Sequence, residues 1–457
     1  MTGIRGYATY VPAYRLNPKD SGVRGVRVVA AFDEDATTMA VAAATRLIDA
    51  VGSVDDAARV TLATSSPPYA DKTNAVAVAA ALGLPATVPA SDAGTTARSV
   101  MDALERPGLV TAADVRVGKP GSADERGGGD AAAAVLIGDA EVIAEVIGRA
   151  AVNDEVLDRW RDPLSRTGEQ WEERFGFERY AAAVRTTAAA ALAAAGLEEA
   201  DHVVLTSANA AVTKRAAALV EGRLSSTGSP LGFAGTADPL LGLAGVLDVA
   251  AAGETVLLLS AVDGCDAIVL RTTDLLPRRR QAVPLADQVA DPMARTVPYP
   301  TYLGWRGLLD RETPRRPEPD RPAGPPSARG AGWKFAFTGG RCAECGFVHL
   351  PPVRVCRKCG AADRMEPVPG TRLSGRVATY TVDRLAFSPS PPVIDVVVDF
   401  DGGGRTTLEV ADADPEALSV GTKVDVVFRR LFTAGRVHNY FWKARVLPDR
   451  PTERSEQ

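Results

Sequence analysis

The sequence is poor in the residues that carry most nucleophilic and acid–base catalysis. Among 457 residues there are only five cysteines and three histidines. It also lacks any run of about 18 apolar residues, the length that would span a membrane. Lysine and arginine total 52 against 57 aspartates and glutamates, so the formal net charge is −5 and no overall basic surface is implied. We therefore expect neither a membrane nor a nucleic acid as a partner.

What the sequence does contain is enough apolar material for a folded protein of several domains. Hydrophobic residues make up 46% and charged residues 24%, which is typical of globular proteins and not of disordered ones. Residues 1–7 lack the basic-then-apolar pattern of a secretory signal. Four of the five cysteines fall in one short stretch. That distribution predicts a cytoplasmic protein with a metal site and not a disulfide framework.

Composition divides the chain into segments of different character. Up to about Arg271, Ala-rich helical segments alternate with short Val, Leu and Ile strands, which is typical of an α/β sheet covered by helices. Six prolines between Pro314 and Pro326 indicate a linker. The apolar stretch 302–309 is either docked on a neighbouring surface or a loose amphipathic turn. We predict two α/β halves (1–145 and 146–275), a Pro-rich linker and docking segment (276–332), a zinc ribbon (333–366), a small barrel (367–450) and a disordered tail (451–457).

The α/β part contains two similar stretches, about 145 residues apart, which is a domain-sized separation and not the period of a solenoid. In each, a helix (39–50 or 181–195) ends at a glycine, a short acidic turn follows, and a buried strand (60–65 or 203–207) ends in small hydroxyl residues. The pattern indicates either a duplicated unit or a chance similarity of two Ala-rich helices. The acidic run 33–35 before the first helix is predicted to cap that helix and not to catalyse.

Two cysteine pairs predict a metal site. Cys342 and Cys345, then Cys356 and Cys359, form two C-x-x-C-G motifs, in which the glycine lets the backbone fold back so that both thiolates face one ion. Four thiolates leave no position for water, so we expect a structural Zn²⁺. The alternative, a redox C-x-x-C, would need one pair at a helix start. His349 lies between the pairs and is surplus to a four-cysteine site.

Five strand candidates follow the ribbon, bounded by polar or Gly-rich turns. Five short strands in this position predict a small barrel of the OB type. The candidate strands are 372–382, 393–400, 405–410, 423–428 and 440–446. Five aromatic residues on or beside these strands could stack on nucleobases, but in an acidic chain we expect them to pack in the barrel core; they are Tyr380, Phe428, Tyr440, Phe441 and Trp442.

Four stretches together resemble a known family. The segments 6–12, 33–39, 127–133 and 232–243 resemble the thiolase superfamily, specifically its hydroxymethylglutaryl-CoA synthase and initiating β-ketoacyl synthase branch. This resemblance implies a duplicated, layered αβαβα fold, coenzyme A thioesters as substrates or ligands, and a homodimer. The last third resembles the rubredoxin-like zinc ribbon plus OB proteins that accompany thiolases and bind acyl-CoA or bridge enzymes. A thiolase-like partner is therefore also implied.

The resemblance also locates the family's catalytic positions, and all four are occupied by other residues. The nucleophilic Cys of the family aligns with Gly94 and its Glu with Ser65. The His aligns with Asn209, and the Asn that helps bind the thioester oxygen aligns with Phe233. Acyl-enzyme chemistry in its usual form is therefore not available to this chain.

Substitute groups can be named for the empty roles. Thr95 or Ser65 would be substitute hydroxyls, with Asp92 or Asp238 as acid or base, but the sequence offers no evident base to activate them. Lys214, which the synthases also carry, is predicted to bind substrate. Cys265 is the remaining thiol, and it is either functional or a buried apolar residue.

Two functions remain open from the sequence. One is an acyltransferase-like or aldolase-type enzyme that makes or breaks a C–C bond beside a CoA thioester without a covalent intermediate, in a complex with a thiolase-like partner. The other is a non-catalytic scaffold subunit that binds acyl-CoA in a thiolase complex. Turnover of acyl-CoA by the protein alone would distinguish them.

Overall fold

The structure is a computed structural model that describes residues 2–17, 22, 26–171, 173–228, 230–312, 316–412 and 414–447. The chain folds as two compact units, Met1–Leu309 and Asp310–Gln457. The predicted disordered tail, 451–457, lies outside the described residues. In the described part of the chain, no helix combines the length and the apolar character that crossing a membrane requires.

The described residues of the first half of the first unit form seven strands and four helices. The strands are β1 (Gly3–Tyr10), β2 (Tyr14–Leu16), β3 (Val28–Val29), β4 (Val60–Ala63), β5 (Ala90–Ala93), β6 (Gly108–Asp114) and β7 (Ala131–Gly138). The helices are Ala36–Val51, Ala75–Ala81, Arg98–Ala103 and Ala123–Gly127.

The second half repeats this pattern and is followed by a short extension. The strands are β8 (Ala144–Asn153), β9 (Arg159–Trp160), β10 (Glu169–Gln170), β11 (His202–Thr206), β12 (Leu224–Ser226), β13 (Thr255–Ser260), β14 (Gly264–Thr272) and β15 (Arg295–Val297). The helices are Glu173–Ala195, Ala210–Lys214, Asp238–Leu247, Leu285–Val289 and Tyr299–Trp305, with 3₁₀ turns at Ala216–Ala218, Gly235–Ala237 and Leu276–Arg278.

The main sheet carries the duplication in its strand order. Ten strands run in the order β12-β11-β13-β14-β8-β1-β7-β6-β4-β5. The strands of the two halves follow the same order and run in the same relative directions. In each half the first strand pairs antiparallel with the last one, β1 with β7 and β8 with β14. The halves join where Gly3 and Ile4 of β1 pair with Glu145 and Ala144 of β8. The predicted duplication is thus confirmed.

The helix ends agree with their residue types. Asp35 caps the first long helix by accepting a hydrogen bond from the Thr38 N–H at 3.0 Å, while its own N–H donates to Thr38 Oγ1 at 2.9 Å. Gly52 (φ +88°) and Gly196 (φ +69°) end the two long helices in a backbone conformation that favours glycine. The predicted capping role of the acidic run is therefore confirmed at Asp35.

The segment predicted as linker and docking segment, 276–332, is divided between the two units. Its first part packs into the first unit, where β15 pairs in parallel with β2 and Tyr302 is fully buried. Pro300 lies in the first turn of the helix Tyr299–Trp305, where a proline is compatible with helical structure. Residues 310–332 belong to the second unit, where Gly324–Arg329 forms a helix.

The second unit contains the ribbon and the barrel. After the helices Gly324–Arg329 and Ala331–Ala336 come β16 (Thr338–Cys342), β17 (Val348–His349) and β18 (Met365–Pro369), which form one sheet in the order β17-β16-β18. A closed barrel in the order β19-β20-β21-β23-β22 follows, as predicted. Its strands are β19 (Gly375–Asp383), β20 (Val393–Phe400), β21 (Arg405–Ala411), β22 (Lys423–Ala434) and β23 (Val437–Val446), with 3₁₀ turns at Gly370–Arg372 and Pro415–Ala417.

Most of the barrel aromatics lie in its core. Phe428, Tyr440 and Trp442 are buried, and the Trp442 Nε1–H donates to the Phe335 carbonyl at 2.6 Å. Tyr380 is different, because it is 36% exposed. Core packing is therefore confirmed for the buried aromatics and is wrong for Tyr380.

Candidate functional site

A polar pocket of about 220 Å³ lies in the first unit, where loops from both halves of the fold meet. Its wall includes two arginines, two aspartates, small hydroxyl residues and several glycines. The lining residues are Arg116, Ala123, Asp124, Gly127, Gly128, Arg159, Ser207, Ala208, Ala210, Thr213, Thr227, Gly232, Phe233 and Asp238. Ser207 and Ala208 directly follow β11, and Asp238 begins the helix Asp238–Leu247.

Two glycine-rich loops form the part of the wall where the halves cross. The Phe233 N–H donates to the Gly127 carbonyl at 2.9 Å, and the Gly129 N–H donates to the Phe233 carbonyl at 3.2 Å. A β-carbon on Gly129 would collide with the Leu231 carbonyl, and one on Gly232 (φ +95°) would collide with the Gly127 carbonyl. The glycines of both motifs are therefore required by the close approach of two backbones.

A buried carboxylate holds together two segments of the chain near this pocket. Asp114, at the end of β6, is fully buried and accepts five hydrogen bonds of 2.7–3.1 Å. The donors are Thr64 Oγ1, the Ser65 N–H, Ser66 Oγ, the Thr236 N–H and Thr236 Oγ1. Because every donor is neutral and comes from a strand end or a turn, Asp114 holds these segments together and is not placed to act as a base.

A buried ion pair fixes the neighbouring loop. Asp130 is fully buried and pairs with Arg306 Nη2, while its carboxylate also accepts from the Arg116 N–H at 2.6 Å and the Ala30 N–H at 2.8 Å. Arg306 is 5% exposed and comes from the end of the segment after β15. The segment 295–306 is therefore part of the support of the pocket.

The two lining arginines differ in their partners. Arg159 pairs with Asp124 and also donates to Gln170 Oε1 at 2.8 Å. Arg116 has its guanidinium carbon 5.4 Å from the centre of the Phe233 ring, and its Nη1 lies 3.4 Å from Ser65 Oγ. Arg159 is thus neutralised by a carboxylate, whereas the hydrogen bond of Arg116 is long and goes to a neutral hydroxyl.

Five of the seven predicted catalytic positions are not among the residues that line the pocket: Ser65, Asp92, Gly94, Thr95 and Asn209. Gly94 and Thr95 are exposed, and the Gly94 carbonyl accepts from Ser99 Oγ at 2.6 Å. Asp92 accepts from the Asn74 and Ala75 N–H groups at 2.8 and 2.7 Å, so it caps the helix Ala75–Ala81. Ser65 lies next to the pocket through its contact with Arg116. A role for these residues in catalysis stays a prediction, and Asp92 has a structural task instead.

Asn209 and the remaining predicted positions lie closer to the pocket. Phe233 and Asp238 line it directly. Asn209 is 2% exposed, and its amide is engaged at both ends, since Oδ1 accepts from the Ala211 N–H at 3.0 Å and Nδ2 donates to Asp158 Oδ2 at 3.2 Å. Lys214 is exposed and follows Thr213, which does line the pocket. Substrate binding by Lys214 stays a prediction.

Cys265 lies in the core of the second half and not in the pocket. It is fully buried in β14, and this burial raises the pKa of its thiol to about 12. A thiol with such a pKa stays protonated at neutral pH and is a poor nucleophile. Of the two interpretations of Cys265, the structure supports the buried apolar residue.

We expect no stable acyl-enzyme to form on this protein. Gly94 has no side chain to acylate, and no described cysteine or histidine lies in the pocket lining. After incubation with acetyl-CoA, intact-mass spectrometry should show only the unmodified chain. The variant Gly94→Cys should remain inactive, because Asn209 cannot take up a proton as histidine does and Phe233 offers no amide donor. An acetyl adduct mapped to Thr95, Ser65 or Cys265 would contradict this expectation.

The four ribbon cysteines form a separate candidate metal centre. Their sulfur atoms all lie within 4.8 Å of one another. Cys342 Sγ is 3.6 Å from Cys359 Sγ, and Cys345 Sγ is 3.6 Å from Cys356 Sγ. A tetrahedral zinc site with Zn–S bonds of about 2.3 Å places its sulfurs about 3.8 Å apart. The residues therefore fit a structural Zn²⁺, held by all four thiolates with no position left for water.

The residues around the four sulfur atoms also fit a zinc site. Gly346 (φ +73°) and Gly360 (φ +78°) follow the two cysteine pairs, in the backbone conformation expected for both motifs. His349 is buried, and its Nε2 lies 3.4 Å from Cys356 Sγ. This hydrogen bond lowers the pKa of the Cys356 thiol. His349 is thus not a fifth ligand but a group that favours the thiolate.

Sequence reasoning missed Arg116, Asp114 and the Asp130–Arg306 pair. Only Asp114 carried a signal, as a charged residue ending a run of buried apolar residues. Arg306 lies 176 residues after Asp130, so no spacing along the chain could have joined them.

Comparisons with known proteins identify the C-terminal module. Residues 335–366 match the family described as the ChsH2 rubredoxin-like zinc ribbon domain, and residues 367–429 match the ChsH2 C-terminal OB-fold domain. A DUF35 domain-containing scaffold protein of Methanocaldococcus jannaschii is 32% identical over 103 residues, which are 21% of this chain and 71% of that protein. A protein of the same description from Methanothermobacter thermautotrophicus is 28% identical over 105 residues, 22% of this chain and 78% of that one.

Solved structures match the fold of a larger part of the chain. An HMG-CoA synthase complexed with CoA has a TM-score of 0.57 at 17% identity, covering 66% of this chain and 89% of that one. MvaS in complex with 3-hydroxy-3-methylglutaryl coenzyme A has a TM-score of 0.55 at 19% identity, covering 67% and 92%. FabH from Pseudomonas aeruginosa has a TM-score of 0.50 at 20% identity, covering 60% and 98%. At these identities the similarity establishes a thiolase-like fold.

Proposed function

Because this chain belongs to the DUF35 domain-containing proteins, we propose that it is an acyl-CoA-binding subunit that works in a complex with a thiolase-like partner. The observation that carries the proposal is the pocket itself. It is open, and its lining includes Phe233, one position of the family's catalytic set, and the two residues that directly precede Asn209. The described residues of its lining include no cysteine or histidine. Such a site can hold a thioester without forming a covalent bond to it.

Three further points support a binding subunit. The curated relatives are described as scaffold proteins. The fold neighbours include synthases crystallised with CoA and with a CoA thioester, which makes coenzyme A the natural ligand class to propose. The zinc site has only structural chemistry to offer, since four thiolates leave no open coordination position. We also propose a cytoplasmic homodimer, by analogy with the resemblance stated above.

A second candidate function is C–C bond formation or cleavage beside the thioester, without an acyl-enzyme. The observation that favours it is that Asp238 lines the pocket together with Phe233 and the cationic Arg116. A carboxylate to move a proton and a cation to stabilise an enolate are the minimum that such a reaction needs. The two functions make opposite predictions for the protein without a partner.

We expect the full-length zinc-loaded protein to bind acetyl-CoA at about one molecule per chain in a calorimetric titration, and to leave the thioester unchanged. Binding without turnover follows from a polar pocket that lacks a nucleophile. Mass spectrometry of the small molecules after incubation checks the second half of the prediction. New thioesters or free CoA formed at a steady rate by the protein alone would favour the enzyme and exclude the non-catalytic subunit.

The same titration on a chain ending at Arg311 tests the role of the C-terminal module. This deletion leaves the first compact unit whole, since that unit ends at Leu309. If the module handles acyl-CoA, affinity should fall by about tenfold or more, about 1.4 kcal/mol. If the truncated chain keeps full affinity for CoA, the module only stabilises the protein and does not handle acyl-CoA.

A further inference from the structure

Arg27 is a buried arginine whose charge is only partly compensated. It is 1% exposed, and its Nη2 donates to the Arg116 carbonyl and the Tyr302 hydroxyl, both at 3.3 Å. Among the described residues, its Nε and Nη1 have no hydrogen-bond partner. Burying a guanidinium without a negative partner is costly, so an anion is expected close to it.

Gly128 places this guanidinium at the wall of the pocket. A β-carbon on Gly128 would lie 3.0 Å from Arg27 Nη1 and 3.3 Å from the β-carbon of Arg116. Gly128 and Arg116 both line the pocket. Arg27 therefore lies beside Gly128, which lines the pocket, and is not itself one of the lining residues.

Arg116 adds a second positive charge at the same wall. Its contacts are the Phe233 ring and the Ser65 hydroxyl, and the described residues give it no ion pair. The two neighbouring arginines differ in this respect, because Arg159 pairs with Asp124 and Arg306 pairs with Asp130.

The acidic groups at the pocket are already engaged. The charge of Asp124 is matched by Arg159, and Asp238 is buried and accepts from the Ala234 N–H at 3.1 Å. Asp130 is matched by Arg306. Arg27 and Arg116, which approach each other at Gly128, thus both lack an ion-pair partner among the described residues.

We propose that Arg116, with Arg27 beside Gly128, binds the terminal carboxylate of a short dicarboxylic acyl group, such as malonyl or succinyl, carried on coenzyme A. This inference rests on the proposed function and specifies its ligand. A planar guanidinium binds a carboxylate through two parallel hydrogen bonds, which makes arginine the residue suited to this task. The pocket volume of about 220 Å³ favours a short acyl group.

The test compares ligands on the full-length zinc-loaded protein, by calorimetric titration with CoA, acetyl-CoA and malonyl-CoA. Malonyl-CoA should bind at least about tenfold more tightly than acetyl-CoA, because it alone presents a carboxylate. This comparison needs no variant. Equal affinities for malonyl-CoA and acetyl-CoA would overturn the inference and leave the proposed function standing. If none of the three ligands binds, both the inference and the proposed function are overturned.

Two variants then locate the carboxylate. Arg116→Gln should lower the affinity for malonyl-CoA by a larger factor than the affinity for acetyl-CoA, so that the ratio of the two affinities falls to about one, and Arg116→Lys should keep part of the preference because it keeps the charge. Arg185→Gln is the matched control, since Arg185 is an exposed arginine that donates to the Ala218 carbonyl and does not line the pocket. It should keep the full preference.

The same variants distinguish an acyl carboxylate from a phosphate of the coenzyme. If Arg116→Gln weakens CoA, acetyl-CoA and malonyl-CoA by the same factor, the arginine contacts a phosphate common to all three, and the assignment is overturned. Arg27→Met removes the buried charge and keeps the volume. It should lower the ratio of malonyl-CoA to acetyl-CoA affinity, and an unchanged ratio would overturn the role of Arg27.

Discussion

Replacing Cys342 by serine should remove the zinc and unfold the ribbon. Cys342 is buried at the end of β16, and its sulfur lies 3.6 Å from that of Cys359. Structural zinc sites supply about 10–16 kcal/mol of folding free energy, and the three short ribbon strands have few other interactions to replace it. Elemental analysis should fall from one zinc per chain to nearly none, and the region 338–369 should lose its protection from hydrogen exchange.

Cys265 provides the matched control for this experiment. It is also a buried cysteine, but it lies in β14 of the first unit. Cys265→Ala should keep one zinc per chain and an intact ribbon, whatever it does to the first unit. Wild-type protein that contains no zinc when purified without chelator, or Cys342→Ser protein that retains a full equivalent, would show that the site is not a structural zinc centre.

Asp130→Asn should destabilise the first unit by about 3–5 kcal/mol, because it leaves the buried Arg306 without a compensating charge. Both side chains of the pair are nearly inaccessible, at 0% for Asp130 and 3% for Arg306. The substitution also weakens the acceptors for the Arg116 and Ala30 N–H groups. Hydrogen exchange of peptides from β7 under mild denaturant reports the stability of the first unit, since β7 belongs to that unit.

The control is an exposed ion pair in the same unit. Asp56 pairs with Arg5 at 2.6 Å, but the Asp56 side chain is 60% exposed. Asp56→Asn should therefore change the unfolding free energy by less than about 1 kcal/mol. If the two substitutions have equal effects, burial does not determine the contribution of these pairs, and the support assigned to segment 295–306 is incorrect.

The ribbon and most of the barrel could be predicted from sequence because their signals are local. Cysteine spacing is a short-range pattern, and β20 was predicted with the bounds that the structure gives it, since polar turns enclose it on both sides. The last hairpin of the barrel, β22 and β23, was predicted too short. β22 continues through Arg429, which is 1% exposed, because Asp412 Oδ2 accepts from its Nη2 at 2.6 Å.

The end of that hairpin was missed for a related reason. Gly435 (φ +54°) and Arg436 (φ +65°) form a two-residue turn of the type that suits hairpins. Glycine followed by arginine is not a strong turn signal in sequence, so the final strands of the barrel are longer than predicted.

The pocket could be predicted only as a list of absent catalytic residues. Phe233 and Asp238, which were named from the sequence, line it, and their roles stay a prediction. The resemblance to the thiolase family gave no indication of Arg27 and Arg116, because their proximity depends on Gly128 and on a segment near residue 302. Contacts of this kind arise from the folding of distant stretches and have no periodic pattern along the chain.

The central position of β1 in the ten-stranded sheet has a consequence for synthesis of the chain. Tyr10 pairs with Ala132, and Ile4 pairs with Ala144, so β1 has no partner until both stretches have left the ribosome. At about 5–20 residues per second this delay is on the order of ten seconds. During that time the side chains of Ile4, Tyr7 and Tyr10, all buried in the folded protein, are exposed on an unpaired strand. β1 is thus vulnerable to aggregation during this interval, and chaperone binding to this strand should raise the yield of folded protein.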